Sequence, residues 1–181
     1  MLHTKKCSNS LLEFEGYKLS EKQKALISKA TAITLSNLVS KRMVNSLEIT
    51  IDVTKNLYKK TGHLGNCGLE DDAASPKFFT IELNYSGKQS FNVLISTLCH
   101  ELVHVAQYAQ RRMRCLSGSY AVAWGKEHYN TKEINYRDRP WEIEAYALEK
   151  EIYDKVKKNF EIKKYIEENS CPKFEKRVGF I

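Results

Sequence analysis

The chain has 181 residues, a length that suits one domain and leaves little room for a second. Its 42% hydrophobic and 28% charged residues fit a globular protein, and only 3 Pro and 8 Gly exclude collagen-like or linker-dominated architecture. Lys and Arg total 29 against 22 Asp and Glu, leaving +7: a solvated basic surface or, in the sharper reading, one that meets nucleic acid.

Residues 1–17 carry Lys5, Lys6, Glu13 and Glu15 where a secretion signal would place an apolar core. No apolar run reaches the roughly 18 residues of a membrane span, so no membrane association is expected. Cys7, Cys67, Cys99, Cys115 and Cys171 are scattered without a CxxC pair, which argues against a disulfide framework or zinc ribbon. They favour a reducing compartment: the cytoplasm of a bacterium, or of a host cell if the source is a virus or phage.

In chain order, residues 1–18 read as an arm that packs through Leu11, Leu12, Phe14 and Tyr17. Ser20 opens a helix with Gln23 in capping-box spacing, and the helical period continues toward Met43. Residues 47–53 alternate apolar and polar side chains as a half-buried strand does. Three glycines in 61–68 predict a turn or a glycine-relaxed strand pair, Glu70 to Pro76 a loop, and 77–84 a second strand. A long helix follows over about 90–112, then an irregular connection over 113–139. Pro140, suited to a first helical turn where its missing amide costs nothing, starts a helix to about Lys158. A shorter helix reaches toward Asn169 before Pro172. This order predicts an α+β domain with a small mixed sheet.

His100-Glu101-Leu102-Val103-His104 is an HExxH motif within the long helix. Positions four apart share a helix face, so both imidazoles can reach one tetrahedral Zn²⁺. Glu101 is too close in sequence to the first ligand to complete the tetrahedron, but it can reach a metal-bound water and accept its proton. With 5 His in the chain, chance produces such a motif in about one shuffled sequence in a hundred. The strand over 78–83, just before this helix, is expected to border the cleft and to pair with extended substrate.

A third ligand is needed. Gln107 and Gln110 stand where a metzincin would place Gly and His, which excludes that option. The helix after Pro140 offers Glu142 and Glu144 on opposite sides of an apolar stripe formed by Trp141, Ala145, Leu148, Ile152 and Val156. Glu142 shares its side with Tyr146, Glu149 and Tyr153, whereas Glu144 shares its side with Glu151 and Lys155. Glu142 is therefore preferred and Glu144 is the alternative. Glu149, two turns beyond Glu142, is a candidate to orient a ligand histidine.

Taken together, His100-Glu101-x-x-His104 and Glu142-x-x-Ala145 on a later helix resemble the gluzincin zinc metallopeptidases. Among them the chain looks like minigluzincins and phage SprT-like or ImmA/IrrE-like domains. The likeness extends to the strand over 78–83 and to Trp124-Gly125-Lys126, and covers about residues 46–155. No cysteine zinc ribbon follows, and Tyr146 stands where the ImmA/IrrE-like pattern has Asn or Asp. The resemblance implies a zincin-like fold; the domain is expected over 46–181, with 1–45, which lies outside the likeness, as an arm and helix packed on it in one structural unit. It implies one Zn²⁺ held by His100, His104 and Glu142, with Glu101 as general base for hydrolysing peptide bonds in a protein or peptide substrate, as an endopeptidase. The alternatives are a SprT-like protease acting on DNA-bound proteins and a non-catalytic zinc-binding regulatory module.

Peptide hydrolysis also needs a donor for the developing oxyanion. His128, Tyr129, Tyr136, Arg137 and Arg139 precede the third-ligand helix, and Tyr136 and His128 are the preferred candidates. His3 and His63 have no partner spacing. Arg111, Arg112 and Arg114 suit the helix C-terminal dipole. Cys99, turned about 100° from His100, is expected to be a small buried side chain.

Overall fold

The two alternating segments become neighbouring strands. In a computed structural model that describes residues 11–169 except 72, 74, 88 and 117–119, β2 (Glu48–Thr54) lies parallel to β4 (Phe78–Asn84), with Ile49 opposite Phe79 and Ile51 opposite Ile81. Each strand buries every second side chain, as a period of two requires when one face meets a core.

The arm enters the structure as β1 (Leu11–Gly16), parallel to β2 with Leu12 opposite Ile49. Its alternation of Leu12 and Phe14 with Glu13 and Glu15 is too short to stand out in the sequence. Residues before Leu11, including His3 and Cys7, and the chain beyond Asn169, including Cys171 and Pro172, lie outside the described residues. The glycine-rich segment supplies β3 (Gly65–Leu69), antiparallel to β4, and the mixed sheet runs β1-β2-β4-β3. The strand expected to border the cleft is therefore internal, and β3 is the edge on its side of the sheet, with β1 at the other.

The capping box at Ser20 and Gln23 is present and starts α1 (Glu21–Leu38). This helix stops short of Met43 because Val39 is extended and Ser40 caps a separate short helix, α2 (Lys41–Val44), by accepting from the Met43 amide. A further short helix, α3 (Leu57–Thr61), ends on left-handed Gly62 and leads into β3.

The long helix is α4 (Phe91–Ala109). It lies against α1, β3, β4 and α5 (Pro140–Lys157), and every residue from Leu98 to Ala109 is buried. A helix buried all round belongs to the core, and the HExxH turn sits at its most enclosed part.

Residues 113–139 are more ordered than expected. They form a three-stranded antiparallel sheet of β5 (Met113–Cys115), β6 (Ala121–Trp124) and β7 (Glu127–Asn130), then one 3₁₀ turn at Tyr136–Asp138. Strands of three or four residues leave almost no periodic trace, and Gly125 at φ 60° turns β6 into β7. On α5, Trp141, Ala145, Ile152 and Val156 are buried as the stripe predicts. The last described helix is α6 (Phe160–Asn169). Among the described residues no helix is long and apolar enough to cross a membrane.

Candidate metal centre

His100 and His104 present their rings on one face of α4, with centroids 4.9 Å apart. Trp141 anchors the start of α5 in the core, and the next residue, Glu142, turns toward those rings. Its Oε2 lies 3.3 Å from His100 Nε2 and 3.5 Å from His104 Nε2. The three side chains belong to residues only 7%, 6% and 4% exposed, in the order His100, His104, Glu142.

Among the described residues no donor meets Glu142 Oε2 in hydrogen-bond geometry. A buried carboxylate oxygen left this way is costly, and a cation between the three groups would remove the cost. Two ligands each 2.0–2.1 Å from a tetrahedral metal stand roughly 3.3–3.4 Å apart, which matches the observed separations. The three residues are buried and lie close enough to bind one metal ion.

Both imidazoles are held from behind. His100 Nδ1 lies 3.2 Å from Glu149 Oε2, and the other oxygen of Glu149 accepts from Ser96 Oγ at 2.5 Å. His104 Nδ1 lies 2.8 Å from Gln107 Oε1. Fully buried Gln107 in turn donates through Nε2 to the Trp141 carbonyl and to Glu144 Oε2, each at 2.9 Å. With Nδ1 facing an acceptor, the neutral imidazole carries its proton on Nδ1 and offers its Nε2 lone pair to the shared site, the form a metal would bind.

Glu144 is thus a support and not one of the three converging groups. Arg112 Nη1 meets both its oxygens, at 2.5 and 2.6 Å. Arg112 also lies over the Trp124 ring, a more specific placement than the helix-dipole contact expected of it. Gln107 is the supporting residue that the sequence reading missed. Its spacing, three residues after His104 on the same helix face, was the available signal.

Burial would lower the His100 imidazole, but the Glu142 and Glu149 carboxylates facing its two nitrogens outweigh that and raise it to about 10. Burial would raise the Glu142 carboxyl, yet the two imidazoles hold it at about 2. Without a metal, the centre therefore keeps positive charge on an imidazole, and metal binding must displace that proton. Glu101 differs: burial raises its carboxyl, with His104 and His100 offsetting only part. Its side chain packs against Gly65 of β3, where an added Cβ would lie 2.5 Å from Glu101 Oε1.

Of the two expected oxyanion donors, Tyr136 reaches the centre. Burial first, and then the Glu142 carboxylate beside it, push its phenol well up. Its ring contacts His63 at 5.2 Å and the Arg139 guanidinium at 5.1 Å, so His63, set aside on spacing, flanks the centre. His128 is exposed on β7 opposite Ala123, and no contact with the three converging groups is found among the described residues. Tyr146 packs on His100 with ring centroids 4.7 Å apart. Cys99 is buried as expected, its thiol pushed up to about 12 by burial and its Sγ 3.5 Å from Thr34 Oγ1.

Comparison of the chain with protein-family models, with curated proteins and with solved structures finds no match.

Proposed function

We propose that this chain is a zinc-dependent metallopeptidase of the gluzincin kind, an endopeptidase that hydrolyses a protein or peptide substrate. The observation that supports it most is the unpartnered Glu142 Oε2 facing two Nε2 atoms, with Glu101 one residue from the first of them. Two imidazoles and one carboxylate suit zinc, and three protein ligands leave a coordination position open as hydrolytic sites require. A structural zinc site would be closed by a fourth protein ligand and would have no role for Glu101.

Zinc bound there would supply Lewis acidity, polarising the scissile carbonyl and lowering the pKa of a water toward ~7. Glu101 accepts the proton of the attacking water and passes it to the leaving amine. Its raised carboxyl suits that exchange, because a base works best with a pKa near the operating pH. Glu149 and Gln107 keep the imidazoles oriented, and Tyr136 offers its hydroxyl to the developing oxyanion. The edge of β3, beginning at Gly65 beside Glu101, offers backbone groups on which an extended peptide can lie.

The test is a metal assay combined with digestion of casein or a peptide library. The protein should carry one zinc per chain and lose proteolysis to a chelator. Glu101→Gln should keep the metal and lose turnover, and His100→Ala should lose the metal. Proteolysis by Glu101→Gln equal to wild type, or full zinc in His100→Ala, rejects the proposal.

A further inference from the structure

A cavity of about 230 Å³ lies where the end of β3, the C-terminal end of α4 and β5 meet. Sites for whole small molecules run to roughly 300–1,000 Å³, so this one suits a single side chain. β3 and β5 are each at the edge of their own sheet, and both line the cavity, through Leu69 and Met113. Buried Tyr108 of α4 completes an apolar lining.

Arg111 and Arg114 line the same cavity and are both exposed. Arg112, between them, is committed to Glu144. Among the described residues Arg111 and Arg114 have no carboxylate partner, and the Arg114 guanidinium meets only the Gly125 carbonyl, at 3.5 Å. Asp71 also lines the cavity, but its carboxylate accepts from the amides of Ala73, Lys77 and Phe78. The backbone at Arg111 is a second observation. α4 closes in a Schellman motif, with the Arg111 amide donating to the Tyr108 carbonyl and the Arg112 amide to the Gln107 carbonyl. Glycine ordinarily takes the left-handed position of that motif. Here Arg111 takes it at φ 61°, the one non-glycine residue at positive φ among the described residues. A side chain kept where its own backbone is strained points to a use for that side chain.

The edge of β3 connects this cavity to the metal centre. Gly65 lies against Glu101, and Leu69, four residues on, reaches the cavity. At roughly 3.3 Å per residue the strand covers about 13 Å between them, and a peptide extended along it keeps the same spacing. We propose that the cavity is a specificity subsite for an acidic side chain of the substrate, held by Arg111 and Arg114 about four residues from the bond cleaved beside Glu101. The proposal rests on reading the centre as a peptidase. A lysine of the substrate would be repelled there, and an apolar side chain would leave both guanidinium groups unused. A carboxylate at the end of a short aliphatic stem meets the apolar lining and the charge together.

The experiment uses a fluorescein-labelled decapeptide library in which one position at a time is Glu, Gln or Lys. Cleavage by the full chain is mapped by mass spectrometry, and binding to Glu101→Gln is followed by anisotropy. Glu should be favoured over Gln about tenfold, in kcat/KM and in affinity, at one position about four residues from the cut, with Lys poorest. Arg111→Gly and Arg114→Gln should each reduce that preference to about twofold or less. Arg111→Gly places the favoured residue at the left-handed position, so its melting temperature should not fall and its loss of preference reports the guanidinium. Lys41→Gln, which removes a charge on α2, should keep the preference and so excludes an effect of net charge. Cleavage with no such preference, or a preference that survives both arginine substitutions, overturns the subsite and leaves the peptidase reading standing. Binding that depends on Glu and on Arg111, without cleavage by the wild type, keeps the subsite and overturns the peptidase reading. Neither cleavage nor charge-dependent binding overturns both.

Discussion

Gly65 offers the sharpest test of how Glu101 is held. A Cβ at this position would lie 2.5 Å from Glu101 Oε1, 2.8 Å from Glu101 Cγ and 2.6 Å from Thr97 Cγ2. Ordinary contact begins at 3.4 Å, so Gly65→Ala must displace the carboxylate by about 0.9 Å or push β3 away from α4. Misplacing a catalytic group by about 1 Å costs on the order of 10²-fold in rate, and overpacking costs about 1–3 kcal/mol of stability. The three atoms nearest that added carbon belong to Glu101 and Thr97 and not to His100, His104 or Glu142, so the metal content should match that of the wild type. The assay is kcat/KM on a peptide whose cleavage is chelator-sensitive, run beside metal analysis and a melting curve. Gly68→Ala is the matched control in the same strand, because its Cβ would meet nothing closer than the Thr80 carbonyl at 3.5 Å. Wild-type turnover in a folded Gly65→Ala protein, or equal losses in the two variants, would show that β3 does not position the base.

Glu142→Ala should strip metal on dialysis, whereas Glu144→Ala should retain it, because Glu144 meets Gln107 and Arg112. The reverse result, read by metal content, would reject the ligand set. Gln107→Leu removes the partner of His104 Nδ1 and should weaken metal affinity 10–100-fold in competition with a chromophoric chelator; unchanged affinity would refute its orienting role. The metal-free protein should also show a particular pH dependence. His100 is raised from 6.5 to about 10, so its contribution to stability is complete below pH 6.5 and is lost as pH rises toward 10. Glu142 is lowered from 4.5 to about 2, so its contribution is complete above pH 4.5 and is lost as pH falls toward 2. Melting temperatures of the chelator-treated protein should therefore decline on both sides of that window, and a flat profile from pH 6.5 to 10 would contradict the arrangement.

What was legible in the sequence was whatever a single helical or strand period could carry. The i,i+4 pair His100 and His104, the Ser20 capping box, Pro140 at a helix start and the stripe from Trp141 to Val156 all express local geometry. They appear in the structure at those positions. Sheet order was not legible, because nothing within β4 records that β2 lies on one side of it and β3 on the other. Hence the expectation that the strand before α4 borders the cleft, when the edge on that side belongs to a segment whose glycines left a turn and a relaxed strand pair both open. The three strands between Met113 and Asn130 were lost for a related reason: none is longer than two alternations.

The supports of the centre follow a rule that neither element shows alone. His100 is backed by a carboxylate, Glu149, reached from two turns further along α5 than Glu142. His104 is backed by an amide, Gln107, on its own helix, and that amide is fixed by the Trp141 carbonyl and Glu144 at the start of α5. The same short stretch of α5 thus supplies both the carboxylate facing the two Nε2 atoms and the groups that lock the amide behind one of them. Rotating α5 about its axis to present Glu144 instead would remove a partner from Gln107 and leave Arg112 without its carboxylate. A helix wheel places Glu142 and Glu144 symmetrically about the apolar stripe. Buried Gln107 and the Arg112 pair break that symmetry, because a buried amide must be satisfied while a ligand carboxylate needs its inward oxygen unpaired.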